Sequence, residues 1–187
     1  MGEIWRIYAE SCHPDHFYFS SSSGGLAICV IYAKTSAMKT LKILVLNGPN
    51  LSLLGTREPE FYGTETLDSI ARDMNTCAGT LGGVELEFRQ SNAESDLITW
   101  IGDSRGKFSG IIINPAALTH TSLGVADAIK AVAKEVATVE VHLSNTHARE
   151  EIRHKSLTAP GCIGQIMGFK GHSYILALQA LVKHLRG

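Results

Sequence analysis

The chain has 187 residues, 44% of them hydrophobic, with 17 Lys and Arg against 18 Asp and Glu for a net charge of −1. That is ample for one cored domain of ordinary size. Near-balanced charge with no basic stripe argues against a nucleic-acid surface. Four cysteines, Cys12, Cys29, Cys77 and Cys162, are widely spread with no CxxC and no zinc-like pairing. Free thiols in a reducing cytoplasm are the simplest account of them.

The first 37 residues differ in kind from the rest. Ser20-Ser21-Ser22-Ser23-Gly24-Gly25 is low complexity, and the apolar run from Leu26 to Ala33 is too short to span a bilayer. Arg6 is the only Lys or Arg ahead of that run, whereas Glu3, Glu10 and Asp15 precede it, so the basic start of a signal peptide is missing. Met38-Lys39-Thr40-Leu41 reads as a natural start directly before the first strand. Residues 1–37 are therefore expected to be an appendage, either a mis-assigned start or a disordered leader, with 38–187 as one α/β domain.

Ile43-Leu44-Val45-Leu46 is an unbroken apolar run, as in a strand buried on both faces of a parallel sheet. Asn47-Gly48-Pro49-Asn50 stops it with turn chemistry, at the strand end where open α/β sheets hold ligands. The dozen residues that follow contain Arg57, Pro59 and Tyr62 between Gly55 and Gly63, with no helix or strand pattern. This is either a lid over a site or a plain surface loop. The chemical interest is that a free tyrosine, with a pKa of about 10, needs about 4 kcal/mol of help to be a phenolate near pH 7. A neighbouring guanidinium supplies help of that kind.

Thr66 caps a predicted helix bearing Leu67, Ile70, Ala71, Met74 and Leu81, which Gly82-Gly83 ends. Val84, Leu86 and Phe88 alternate with Glu85, Glu87 and Arg89, which predicts an edge strand with one wet face. A second helix turns Leu97, Ile98 and Ile101 inward. Ile111-Ile112-Ile113 is a second buried strand, and its end, Asn114-Pro115, lies on the same rim as Asn47-Gly48 if the strands are parallel. Residues 116–122 read as a short loop whose Thr121 or Ser122 caps a helix burying Leu123, Ala126, Ile129 and Ala133. Asp127 falls on the opposite face, where it reads as a solvated residue paired with Lys130.

Thr138-Val139-Glu140-Val141-His142 places Glu140 and His142 on one face of a deep strand. A carboxylate beside an imidazole favours its protonated form and fixes its tautomer, which suits a general acid. The pair is equally readable as a satisfied core histidine. Leu143-Ser144-Asn145 then leads into a predicted short helix through His147, Arg149 and Arg153, whose first N–H groups would form an anion site. After the apolar stretch from Cys162 to Phe169, a last helix turns Tyr174, Ile175, Leu178, Leu181, Val182 and Leu185 inward. Strands and helices alternate about five times, which predicts a flavodoxin-like, doubly wound, five-stranded parallel sheet in three α/β/α layers. No internal repeat, Walker A loop or GxGxxG is present.

Several polar motifs follow in a fixed order: Asn47-Gly48-Pro49-Asn50-Leu51, Arg57-Glu58-Pro59, Tyr62-Gly63, Asn114-Pro115-Ala116-Ala117, Thr119-His120-Thr121-Ser122, Glu140-Val141-His142-Leu143-Ser144-Asn145 and Arg149-Glu150-Glu151. In this the chain closely resembles type II 3-dehydroquinate dehydratase, over about residues 41–185. The resemblance implies a lyase of the shikimate or quinate pathway that dehydrates 3-dehydroquinate to 3-dehydroshikimate through an enolate, with no metal or cofactor. It implies Tyr62 as base, Arg57 as the group holding it ionised, and Asn50 as the residue orienting a water on the enolate oxygen. His142, backed by Glu140, would protonate the departing hydroxyl. Asn114 with the Leu143 and Ser144 backbone would hold the substrate carboxylate, and His120 and Arg153 its ring hydroxyls. It reassigns Asp127 to a neighbouring subunit's site within a trimer-based dodecamer, in the cytoplasm, without nucleic-acid or membrane partners. Leu118 stands where the family often has an aromatic and Ala93 where it often has a histidine; residues 1–37 have no family counterpart. The rival readings are a flavodoxin-like domain that binds a small ligand or flavin without catalysis, and a decayed enzyme kept as a scaffold.

Overall fold

The apolar run after Met38 forms the predicted central strand: β1 spans Leu41–Asn47, and Ile43, Leu44, Val45 and Leu46 are each 0% exposed. Burying a side chain of this kind is worth about 1.5–3 kcal/mol, so this strand anchors the domain. The computed structural model describes residues 39–55 and 65–187, together with three two-residue strands among the first 38 residues. Those short strands, Arg6–Ile7, Phe19–Ser20 and Leu26–Ala27, pair antiparallel in that order. The expectation for 1–37 otherwise lies outside the described residues, as do Arg57 and Tyr62. The chain divides into two units, Met1–Met38 and Lys39–Gly187.

In the second unit β1 is flanked by β2 (Val84–Gln90) on one side and β3 (Gly110–Asn114) on the other, followed by β4 (Ala137–His142) and β5 (Gly164–Met167). All four pairings are parallel. The order β2-β1-β3-β4-β5 is that of the flavodoxin-like doubly wound sheet. β2 lies at an edge, and its half-buried residues alternate with exposed ones as far as Phe88, as its sequence predicts.

Alternation along the strands builds two cores. Ile43, Val45, Ile112, Val139 and Val141 face α1 (Leu67–Leu81) and the C-terminal helix His172–Arg186; Leu44, Leu46, Ile111 and Ile113 face the helices Glu94–Gly102 and Leu123–Val132. The single turn Leu118–Thr121 comes between the last two in sequence. In chain order these helices are α2 (Glu94–Gly102), α3 (Leu118–Thr121), α4 (Leu123–Val132) and α5 (His172–Arg186). Thr66 begins α1 with a reciprocal cap: its Oγ1 accepts from Ser69 N at 3.1 Å, and its own N–H donates to Ser69 Oγ at 3.0 Å. Gly82 ends α1 at φ 65, a conformation glycine adopts freely.

Three local expectations are corrected. Residues 116–122 contain the helical turn α3 rather than a plain loop, although one of the two expected caps holds: Ser122 caps α4, its Oγ accepting from Val125 N at 2.8 Å. The buried stripe of α4 is Val125, Ala126, Ile129 and Val132; Leu123 is 67% exposed and Ala133 is exposed beyond the last helical residue. The predicted helix through His147 to Arg153 is two separate 3-10 turns, Thr146–Ala148 and Glu151–Arg153, and the His147 N–H is taken by the Asn145 side chain at 3.1 Å. The continuous helix start expected there is therefore not formed, and one of its N–H groups is already satisfied within the chain.

Candidate active site

The two polar strand ends meet as the sequence predicts. Asn47 and Asn114 pair across β1 and β3, and Gly48 N donates to the Asn114 carbonyl at 2.8 Å. A Cβ on Gly48 would lie 2.7 Å from the Pro115 carbonyl oxygen, so this approach requires glycine. Asn50 sits in the left-handed region at φ 66, which asparagine tolerates better than most residues, and its N–H donates to Asn92 Oδ1 at 2.9 Å. Gln90 Nε2 donates to the same Oδ1 at 3.1 Å. The end of β2 thus fixes the turn that carries Asn50.

Asn114 is held from two sides. Its Oδ1 accepts from Ala116 N at 3.1 Å, and its Nδ2 donates to the Tyr174 hydroxyl at 2.9 Å. Tyr174 in turn donates to Asn47 Oδ1 at 2.6 Å. The tyrosine is fully buried, and burial raises its pKa despite the opposing effect of the Asn114 bond, so it is a neutral phenol.

At the end of β4, Glu140 is 0% and His142 6% exposed. His142 Nε2–H donates to Glu140 Oε1 at 2.7 Å, which leaves Nδ1 for a ligand. Burial alone would raise the Glu140 carboxyl. The hydrogen bond and charge of His142, with the Thr158 and Thr119 hydroxyls, together outweigh burial and hold it below its ordinary value. His120 is fixed in a similar way, its Nδ1–H donating to the Lys155 carbonyl at 2.8 Å with Nε2 left over.

These groups line one pocket: Asn50, Asn114, His120, His142, Leu143, Ser144 and Arg153 all border it, together with Arg149. Glu150 clamps both arginines, Arg153 Nε at 3.1 Å and Arg149 Nε at 3.5 Å. Among the described residues no carboxylate lines the pocket, and no cluster suited to a metal ion is present. Two guanidiniums, two imidazoles and two amides around one concavity suit a small anion rich in hydroxyl groups.

Of the predicted site residues, seven line the pocket and Glu140 stands directly behind His142. Arg57 and Tyr62 lie outside the described residues. Asp127 does not join the pocket of its own chain; its side chain is 76% exposed and sits 3.9 Å from Lys130 Nζ, as the helix face predicts. Sequence reasoning missed Arg149 as a pocket residue, although its motif was in view, and missed Tyr174 as the partner of Asn114. Tyrosine among the aliphatic residues of the α5 stripe was the one available signal, because a buried phenol needs a partner.

Comparison with known proteins covers most of the second unit. The family model described as dehydroquinase class II matches residues 41–182. The 3-dehydroquinate dehydratase of Geotalea daltonii is 53% identical over 146 residues, covering 78% of this chain and 99% of the relative. That of Rhizobium johnstonii is 53% identical over 142 residues, covering 76% and 96%. Among solved structures, a type II dehydroquinase from Butyrivibrio crossotus superposes with a TM-score of 0.73 at 41% identity, covering 76% of this chain and 97% of its own.

Proposed function

The chain belongs to the class II dehydroquinase family, and from that premise we propose how its residues dehydrate 3-dehydroquinate to 3-dehydroshikimate, the lyase step of the shikimate pathway. The observation that carries the reading is the pocket at the ends of β1, β3 and β4, where Asn50, Asn114, His120, His142 and Arg153 converge with Glu140 buried behind His142.

Tyr62, held as phenolate by Arg57, takes the proton beside the substrate ketone and leaves an enolate. A water oriented by Asn50 stabilises the enolate oxygen, a preorganised polar contact of the kind that lowers such barriers. His142 gives the proton held on its free nitrogen to the departing hydroxyl, which leaves as water, while Glu140 stabilises the imidazolium that donates it. The enolate electrons close the carbon–carbon double bond, and the proton on Tyr62 returns to His142 through solvent. Asn114 and the backbone N–H groups of Leu143 and Ser144 hold the substrate carboxylate; His120 and Arg153 hold ring hydroxyls. Neither metal nor cofactor takes part in any of these steps.

Residues 38–187 are the catalytic domain in this reading, and 1–37 are an appendage to it. The protein works in the cytoplasm as a trimer-based dodecamer, in which the exposed Asp127 reaches a neighbouring subunit's pocket. The direct test is to add 3-dehydroquinate to the purified protein and follow ultraviolet absorbance for the conjugated enone. Steady growth of that band in the presence of a chelator is the expected result, and no growth overturns the reading.

A further inference from the structure

The Glu140 carboxylate has no access to solvent. Desolvation penalises a buried charge heavily, so a carboxylate there takes up a proton unless other groups replace the lost water. Among the described residues, four neutral side chains from three segments surround it. Gln165 Nε2 on β5 donates to Oε1 at 2.7 Å, and Thr119 Oγ1 on α3 donates to Oε1 at 2.8 Å. Thr158 Oγ1 donates to Oε2 at 2.5 Å, and Ser156 Oγ lies 3.3 Å from Oε1.

The hydroxyls also order one another. Each has a single proton to donate. With Thr119 and Thr158 committed to the carboxylate, the Ser156 proton is directed to Thr119 Oγ1 at 2.7 Å, the nearer acceptor. Ala159 N–H donates to Ser156 Oγ at 2.8 Å. The result is a chain from Ala159 N–H through Ser156 and Thr119 to Oε1, every donor pointing towards Glu140. Such aligned chains polarise in one sense and suit an anion at their end.

We propose that Thr119, Ser156, Thr158 and Gln165 are positioning residues of the dehydration: they stand in for water around Glu140, keep it an anion, and so keep the proton on His142. This rests on His142 being the proton donor of the proposed mechanism. Among the described residues, two titratable groups face the carboxylate. His142 is on its own strand, and Cys162, just ahead of β5, has its thiol pushed up to about 12 by burial and by the Glu140 charge, so it is neutral. From α3 and the 156–158 segment the facing groups are hydroxyls, and from β5 an amide.

The decisive variant is Thr158→Val, which keeps the shape and removes the donor to Oε2. A less stable Glu140 anion supports the imidazolium less, so His142 gives up its proton at lower pH. Histidine-labelled protein followed by NMR reads that titration whether or not His142 takes part in catalysis. The expected result is a His142 titration moved to lower pH, with the alkaline limb of the kcat profile moving the same way. The expected fall in kcat is about tenfold, part of the roughly 10²–10⁴-fold that a positioned proton donor supplies, with KM nearly unchanged. Thr158→Ser, which restores the hydroxyl, returns both readouts. A titration that moves while the kinetic limb stays fixed upholds the cage and overturns His142 as the donor. An unmoved titration in a folded Thr158→Val protein overturns the proposal, and so does a Thr158→Ser variant as impaired as Thr158→Val. If Thr158→Val does not fold, Gln165→Met at the half-buried edge strand removes a donor to Oε1 and is read against the same outcomes.

Discussion

Removing one oxygen, in Tyr174→Phe, tests how the Asn114 end of the pocket is held. The Tyr174 hydroxyl donates to Asn47 Oδ1 at 2.6 Å and accepts from Asn114 Nδ2 at 2.9 Å, and Asn47 and Asn114 are only 4% and 2% exposed. Phenylalanine fills the same space but leaves an acceptor and a donor without their partner. Each orphaned buried group costs about 1–3 kcal/mol. Asn47 keeps its bond from Nδ2 to the Arg89 carbonyl at 3.3 Å and Asn114 its bond from Ala116, so neither amide is stripped entirely. A loss of about 2–4 kcal/mol is therefore expected, or a fall in Tm of about 4–16 °C for a chain of this size. Urea unfolding at one fixed protein concentration measures it, since the proposed assembly would make apparent stability concentration-dependent. The Asn114 amide also loses the acceptor that fixes its rotation, so KM for 3-dehydroquinate should rise more than kcat falls. A stability loss under about 0.5 kcal/mol, the range of an ordinary surface change, refutes the strap. A clear loss with unchanged KM shows that Asn114 keeps its pose without Tyr174.

Three further outcomes are expected. Tyr62→Phe should cut turnover by roughly 10²–10⁴-fold while substrate still binds, and a twofold loss removes Tyr62 from the role of base; Arg57→Ala should move the limb on which the phenolate forms to higher pH. Because the Glu140 carboxyl is held below its ordinary value in the fold, its contribution to stability is complete above the unfolded value of about 4.3 and is lost as pH falls through the folded value. Glu140→Gln should flatten the acid side of a Tm-against-pH plot, and an unchanged slope counts against the depressed carboxyl. Asp127→Ala should leave Tm almost unchanged yet raise KM or lower kcat, and exchange of its subunits with those of Tyr62→Phe should give more activity than either parent; no gain after confirmed exchange means that Asp127 serves its own chain or none.

The sheet was legible because its signals are local. Two apolar runs, the alternating Val84–Phe88 segment and the Thr66 cap each lie within a few consecutive residues, and the structure returns each of them. Polar strand ends on one rim also follow from parallel strands alone, which is why Asn47-Gly48-Pro49-Asn50 and Asn114-Pro115 could be placed together; His120 and His142 joined them through the family resemblance. Phase within α4 was not legible, because Ser122 fixes where the helix begins and puts Leu123 on its exposed first turn. Nor were the supports of the site, since they join residues far apart in the chain. Tyr174 bonds partners 127 and 60 residues upstream, and the Glu140 cage draws on Thr119, Thr158 and Gln165, at separations of 21, 18 and 25 residues. In sequence those cage residues are ordinary loop and edge polar groups.

The two supports come from opposite layers of the domain. Asn114 shares a strand face with Ile112, on the side packed by α1 and α5, and there it meets Tyr174. Glu140 alternates with Val139 and Val141, which face that same side, so it points to the other layer, where its register partner Ile113 packs with α2 and α4. A parallel sheet buried on both faces can hold two polar side chains at neighbouring strand ends without bringing their supports together. The order reversal between β2-β1 and β3-β4 opens the crevice that any doubly wound sheet offers a ligand. In this chain one layer fixes the Asn114 amide and the other the Glu140 carboxylate beside His142, the groups to which the proposed mechanism gives substrate binding and support of the proton donor. The side chains that fix Asn114 and those that fix Glu140 are thus different sets, and they meet at the backbone, where Ala116 N donates to Asn114 Oδ1 and Thr119 N donates to the Ala116 carbonyl at 3.4 Å. Side-chain changes in one set should act first on its own end of the pocket, and the backbone bond between Ala116 and Thr119 is where coupling between the two would show in a double-mutant cycle.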